Sequence, residues 1–217
     1  MLSILALLTF PFDRNGRIVH HYARAWGWLI IKSCGVRVAL SGVENIERGR
    51  PHVLMANHQG AFDIFALLAY LPVDFKWLAR EEIFKIPILG WAMGAAGYIS
   101  IERKGTKKAL QSIEGAAAKI RAGASVLVFP EGTRSPDGRI HPFKKGGFTL
   151  AVKAGVPIVP ISIRGSRGVL PRGSLSVRPG KIEIIIGKLI RTDDRGLADR
   201  GALMEEVRRA IENSLAG

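Results

Sequence analysis

The sequence predicts an α/β domain: a mixed, largely parallel sheet flanked by helices, preceded by an N-terminal pair of apolar helices. Three observations carry this expectation. From Val36 onward, short β-branched runs alternate with segments of helical periodicity, the pattern of strands joined by helical crossovers. Some strand runs are almost wholly apolar, as in Ser125-Val126-Leu127-Val128-Phe129, which suits strands covered on both faces. A chain of 217 residues also accommodates one such domain with an appendage.

Taken in order, Met1 to Phe12 is apolar but has neither a basic n-region nor an A-x-A cleavage site, so it makes a poor signal peptide. At about a dozen residues it is too short to span a bilayer. His20 to Cys34 reads as a second helix with Tyr22, Trp26, Leu29, Ile30 and Ser33 on one side. Joined through Pro11 to Gly16, the two helices are expected to form an interfacial hairpin entering one leaflet. That makes 1–35 a membrane-associating segment and 36–217 the α/β domain. Simple packing of the same helices onto the core is the competing expectation.

Strands are expected over 36–41, 52–56, 74–79, 97–101, 124–129, 157–163 and 181–187. Helices are expected over 61–71, 86–95, 105–122, 146–154 and 199–215. In 105–122, Leu110, Ile113, Ala117 and Ile120 recur at helical spacing and Gly123 ends the run. The last helix repeats Leu203, Val207, Ile211 and Leu215. Ile86 to Ile101 is almost uncharged, but Pro87, Gly90, Gly94 and Gly97 argue against a spanning helix.

A net charge of +14 with 47% hydrophobic residues and a mean hydropathy of +0.16 describe a surface both basic and apolar. Such a surface suits an anionic membrane face or a phosphorylated substrate. Nucleic acid would also fit the charge, but no helix-turn-helix, zinc-finger or RNP-like signature is present, so no nucleic-acid partner is expected. Cys34 is the single cysteine, which excludes an intramolecular disulfide and fits a reducing compartment. The five histidines show no ligand spacing, so no metal is expected.

The chemistry-bearing residues fall at strand ends. His58 and Asp63 follow the run Val53-Leu54-Met55-Ala56. Histidine is the side chain best suited to general acid–base work near neutral pH, and a carboxylate on one ring nitrogen fixes the tautomer. Five residues of continuous helix turn about 500°, leaving the two side chains roughly 140° apart. The pair therefore requires His58 in the turn before a helix and Asp63 within its first turns. Pro130-Glu131-Gly132-Thr133-Arg134-Ser135 follows another strand, at the end where open α/β sheets bind ligands. Arg134 offers a planar fork for phosphate, Glu131 could orient it or bond a polyol hydroxyl, Gly132 permits close approach and Thr133 adds a hydroxyl. Arg103 closes the strand Gly97 to Ile101 on the same rim, and Lys144 and Lys145 extend a basic stretch suited to a polyanion. Each block alone has a plainer explanation: a helix N-terminus supported by Asp63, a turn with a salt bridge, a solvated basic loop.

Together these blocks resemble the four ordered motifs of the glycerolipid acyltransferases, in particular the 1-acylglycerol-3-phosphate (lysophosphatidic acid) acyltransferases. Asn57-His58-Gln59 through Asp63 is similar to the first motif, Gly97 through Arg103 to the second, Phe129 through Ser135 to the third, and Val156-Pro157-Ile158-Val159-Pro160 to the fourth. Ala79 to Gly90, with Arg80, and Pro142 to Gly146 resemble the connecting segments, so the likeness runs from about residue 36 to 190. Gly60, Glu102 and Arg80 stand where serine, aspartate or asparagine, and lysine are frequent.

The resemblance implies the glycerolipid acyltransferase fold and acyl transfer from an acyl thioester to the sn-2 hydroxyl of 1-acylglycerol-3-phosphate. His58 and Asp63 would be the catalytic pair. Arg134, Glu131, Gly132, Thr133 and Arg103 would bind the phosphate, with Lys144, Lys145 and Arg80 as further polyanion contacts. Acyl-CoA or acyl carrier protein would be the donor, with no other cofactor, and the enzyme would sit monotopically on the cytoplasmic face of the membrane. Another lysolipid or glycerol 3-phosphate is the alternative acceptor. A noncatalytic membrane-binding protein or a thioester hydrolase are the rival classes.

Overall fold

The computed structural model describes residues 9, 12, 13, 15–101, 106–135, 137–171, 173, 174 and 176–216. Most of the first expected helix, and Arg103, lie outside them. The elements run α1 (Arg17–Ser33), β1 (Arg37–Ser41), β2 (Val53–Ala56), α2 (Phe62–Tyr70), β3 (Lys76–Arg80), α3 (Glu81–Phe84), α4 (Leu89–Ala95), β4 (Ile99–Ile101), α5 (Thr106–Arg121), β5 (Val126–Val128), α6 (Lys145–Ala154), β6 (Ile158–Arg164), α7 (Ser166–Val169), β7 (Lys181–Ile186) and α8 (Arg200–Ala216). Single 3₁₀ turns at Val43–Asn45 and Leu197–Asp199 complete the order.

Seven strands form one sheet in the order β1-β7-β6-β2-β5-β3-β4. The five strands from β6 to β4 run parallel, and β7 meets β6 antiparallel while pairing parallel with β1. The sheet is thus mixed and largely parallel, and all seven expected strands are present. β2 lies at its centre with every residue fully buried. Period-two alternation sorts its side chains. Leu54 and Ala56 join a cluster with Leu127, Ile161, Phe62 and Leu67 on one face, whereas Val53 and Met55 join Val126, Ile120, Phe148 and Val207 on the other. One face is covered by α1 and α2, the other by α5, α6 and α8. Helices on both faces force the reaction-bearing loops to the strand ends.

Two expected elements differ. The helix expected over 86–95 begins only at Leu89, as α4, because Pro87 has no N–H and Ile88 takes φ 67, and a separate short helix, α3, precedes it over Glu81–Phe84. The second N-terminal helix begins at Arg17 rather than His20, since both Asp13 carboxylate oxygens accept backbone N–H groups, from Arg17 and Val19. This helix packs Val19, His20, Gly27 and Ile31 into the core, yet leaves Ile18, Trp26, Trp28 and Leu29 exposed on its outer side. No described helix is long and apolar enough to cross a membrane.

His20 gives the fold an acid-sensitive point. Its ring is 1% exposed, with Nδ1 3.1 Å from the Tyr98 hydroxyl and an edge-on contact to Phe75. Burial, reinforced by nearby Lys76, lowers its pKa from 6.5 to about 4. Between those values the unfolded chain binds the proton and the folded one does not, so stability falls as pH falls. The full loss from His20 amounts to about 3 kcal/mol at one pKa unit per 1.36 kcal/mol. His52, its pKa also lowered by burial, adds in the same direction. Tm should therefore drop between pH 7 and pH 4.5, and His20→Gln should flatten that slope. Equal slopes in the two proteins would contradict this origin.

Candidate active site

The site grows from the carboxyl end of β2. There Asn57 continues the β2–β6 pairing with its side chain: Nδ2 donates to the Ile163 carbonyl at 2.9 Å and Oδ1 accepts the Ile163 N–H at 2.7 Å. With Asn57 buried and held at both amide atoms, the chain leaves the sheet at a defined point and His58 projects into the turn before α2.

Asp63 lies in the first turn of α2, fully buried. Its Oδ2 accepts the backbone N–H groups of Gln59 at 2.7 Å and Gly60 at 2.9 Å, and lies 2.8 Å from His58 Nδ1. One carboxylate oxygen thus folds the turn and orients the imidazole. The contact places a hydrogen on Nδ1, so the lone pair belongs to Nε2, which no described residue hydrogen-bonds. Phe129 stacks flat on the imidazole, with centroids 3.9 Å apart at 10°, and Trp77 lies against Phe129 in turn. The ring is therefore fixed by a hydrogen bond at its edge and by an aromatic plane on its face.

Glu131 sits at the end of neighbouring β5 and is 2% exposed. Its Oε1 accepts the His58 N–H at 2.9 Å and its Oε2 accepts the His141 N–H at 2.8 Å. The expectation that Glu131 orients Arg134 or bonds a polyol hydroxyl meets a different geometry. Both oxygens are directed at backbone donors inside the protein, and the residue staples two loops to the histidine. Ser135 adds a second staple, its N–H and hydroxyl donating to the His58 carbonyl at 2.7 and 3.0 Å.

No acceptor for the backbone N–H groups beside His58 and Gly132 is evident in the sequence pattern. The structure engages them otherwise: His58 with Glu131, Gln59 and Gly60 with Asp63, and Gly132 with the Phe129 carbonyl at 3.0 Å.

Thr133 and Arg134 are exposed, immediately before the Ser135 staple, so Arg134 is one residue from a bond to His58. Gly132 takes φ 75, a left-handed turn that a residue with a Cβ adopts only with strain. Among the described residues, Arg134 makes no ion pair or hydrogen bond. Lys144 and Lys145 are exposed at the start of α6, and Arg80 is exposed at the end of β3. The structure thus brings His58, Asp63, Glu131, Gly132, Thr133 and Arg134 to one rim, and Arg80 lies at the end of β3 on that rim. Among the described residues, no group of three His, Cys, Asp or Glu side chains is placed to hold a metal ion. The positioning roles of Asn57, Phe129 and Ser135 were not foreseen. The only sequence signal for them was their place beside His58 and Arg134 in strand-end blocks.

The molecule is thus an α/β body in which a buried carboxylate orients a strand-end histidine. The chain belongs to the acyltransferase family, whose profile, described as Acyltransferase, matches residues 37–164. It is 32% identical to the 1-acyl-sn-glycerol-3-phosphate acyltransferase of Pseudomonas aeruginosa, over 90% of this chain and 76% of that one. It is 37% identical to the chloroplastic 1-acyl-sn-glycerol-3-phosphate acyltransferase BAT2 of Brassica napus, over 99% of this chain but 62% of that protein's length. The crystal structure of the 1-acyl-sn-glycerophosphate (LPA) acyltransferase from Thermotoga maritima superposes with a TM-score of 0.78 at 29% identity, covering 98% of this chain and 88% of the other.

Proposed function

We propose that this chain transfers a fatty acyl group from acyl-CoA or acyl carrier protein to the sn-2 hydroxyl of 1-acylglycerol-3-phosphate, forming phosphatidate at the cytoplasmic face of a membrane. The observation that carries the reading is the His58–Asp63 contact of 2.8 Å, which leaves Nε2 as a base on the rim that also bears Arg134. Relatives named for this activity support the choice of acceptor.

In this mechanism His58 Nε2 removes the proton of the acceptor hydroxyl as its oxygen attacks the thioester carbonyl. The tetrahedral intermediate collapses by breaking the carbon–sulfur bond, and the imidazolium returns its proton to the departing thiolate. Asp63 stabilises the imidazolium without taking the proton. No described serine, threonine or cysteine hydrogen-bonds Nε2, and the mechanism requires no acyl-enzyme. The thioester is already activated, so the chemistry asks for no cofactor beyond the donor. Arg134, with Thr133, the Gly132 turn and Arg103, holds the acceptor phosphate, while Glu131 serves by holding His58. Arg80, Lys144 and Lys145 supply a basic rim that suits the anionic lipid and the phosphopantetheine donor alike. The outer side of α1, with Trp26, Trp28 and Leu29 exposed, supplies an interfacial surface.

The direct test offers purified protein one labelled acyl-CoA with a panel of lysophosphatidate, lysophospholipids, lyso-ornithine lipid and glycerol 3-phosphate, and repeats it with acyl carrier protein. Phosphatidate as the main product is expected. Vesicle binding with no acyl transfer, or free fatty acid as the sole product, would refute the assignment. Arg134→Ala should raise the acceptor KM about 10- to 100-fold with a smaller change in kcat, because a charge-assisted phosphate contact is lost. An unchanged KM would remove Arg134 from the phosphate site.

A further inference from the structure

The rim that bears His58 also carries an apolar protrusion. From the end of α3 into the first turn of α4 the chain exposes Ile86, Ile88, Leu89 and Trp91, by 48, 47, 42 and 61%. Contiguous exposure of this kind marks an interaction surface more often than a solvated loop. The segment is built and held. Gly90 donates its N–H to the Ile86 carbonyl at 2.8 Å, and a Cβ on Gly90 would lie 1.9 Å from the Phe84 carbonyl oxygen.

Its apex is strained. Ile88 has φ 67 and ψ −53, and the Leu89 N–H donates to the Pro87 carbonyl at 2.7 Å. Together these define the positive-φ γ-turn, the rarer and costlier of the two γ-turns. Among the described residues Ile88 is the only non-glycine residue at positive φ, and for a β-branched side chain this is an outlier. Strain of this kind persists only where the surroundings over-determine it, and it concentrates at functional segments. A glycine or asparagine would hold the same turn at less cost, yet the position carries a large apolar side chain turned to solvent.

We propose that residues 86–91 form a bilayer-insertion loop. Ile86, Ile88, Leu89 and Trp91 enter the acyl region of an anionic leaflet and hold the carboxyl rim of the sheet against the surface in which an acidic lysolipid lies. The proposal rests on the membrane-associated reading above and adds a second contact to the one on α1. Charge favours a lipid occupant. Arg80 and Lys85 flank the loop, both exposed, but Glu81, ion-paired with Lys85, and exposed Glu82 balance them, so attraction to an anionic leaflet comes from the chain as a whole. The whole chain carries +14, and tryptophan beside basic residues is the composition of a membrane interface. The loop is also coupled to α1. Lys76 Nζ donates to the carbonyls of Asn15 at 2.8 Å, Gly16 at 3.2 Å and Ala96 at 2.7 Å, clamping the end of α4 to the start of α1.

The chain has four tryptophans, so Trp26→Phe, Trp28→Phe and Trp77→Phe together leave Trp91 as the sole reporter. On vesicles of phosphatidylglycerol and phosphatidylethanolamine with brominated acyl chains, Trp91 emission should shift to the blue and be quenched. In the otherwise native chain, Trp91→Ser should weaken partitioning onto the same vesicles about tenfold. Turnover of a short-chain, water-soluble lysophosphatidate should stay unchanged. Ile88→Gly should keep or raise Tm while still weakening partitioning. Co-flotation of the protein with Trp91 unshifted and unquenched would overturn the loop and leave the α1 contact standing. A blue shift that needs only protein concentration would assign the patch to a second protein chain and overturn the proposal. Absence of co-flotation would overturn this inference and the membrane-associated reading together.

Discussion

Purified His58→Ala protein should turn over acyl-CoA and lysophosphatidate roughly 10²- to 10⁴-fold more slowly, the usual effect of deleting a general base. The acceptor KM should change little, because the phosphate contacts assigned to Arg134 do not involve the imidazole. The site geometry sharpens the expectation. His58 is held by Asp63 at its edge and by Phe129 on its face, so its Nε2 is pre-positioned and its loss cannot be covered by a mobile neighbour. The backbone of the turn depends on Asp63, Glu131 and Ser135 rather than on the imidazole. The variant should therefore melt within a few degrees of the parent. Near-normal turnover in folded His58→Ala protein would remove the histidine from the reaction.

Glu131→Gln should also lower kcat, by less, through displacement of the histidine rather than loss of the base. Each carboxylate oxygen accepts one backbone N–H, from His58 and from His141. An amide satisfies only one and sets its own N–H groups against the other, and an unsatisfied buried donor costs about 1–3 kcal/mol. The His58 turn then loses its tie to the loop after β5, and a displacement near 1 Å at a reacting group can cost about 100-fold in rate. A fall in kcat of roughly 10- to 100-fold is expected, with a lower Tm and an acceptor KM that rises less than in Arg134→Ala. If Glu131 instead bound the acceptor, KM would carry the loss and Tm would hold. Steady-state kinetics beside thermal melts distinguish the two.

Much of the site's outline was legible before any coordinates. The strand-end histidine, the aspartate five residues on, and the need for His58 before a helix and Asp63 within it follow from helical geometry and local pattern. The observed turn has that form. Glu131 was not legible in the same way. A glutamate two residues ahead of Thr133 and three ahead of Arg134 reads as a polar loop residue, and nothing in its neighbours announces 2% exposure. Its acceptor role depends on β5 lying beside β2, a pairing between segments 73 residues apart. The N–H groups of Gln59, Gly60 and Gly132 likewise look free in sequence, because backbone donors have no residue-level signature.

The late start of the helix expected over 86–95 shows the same boundary. In the sequence Pro87 and Gly90 argue only against a spanning helix, and a β-branched residue at positive φ contradicts local preference. The structure carries one at Ile88, where the Leu89 N–H donates to the Pro87 carbonyl.

By itself the sequence determined the elements, their order, the two-faced burial of the central strands and the residue types at the strand ends, because period 2.0 and period 3.6 patterns and turn chemistry act over a few neighbouring residues. Only the tertiary structure decided the strand order, the antiparallel placement of β7, the burial of Glu131 and the side-chain pairing of Asn57 with Ile163, which are 106 residues apart. Those depend on which hydrogen-bonding edges meet when apolar faces on both sides of one sheet are buried at once. That condition is satisfied by the chain as a whole and is written in no single segment of it.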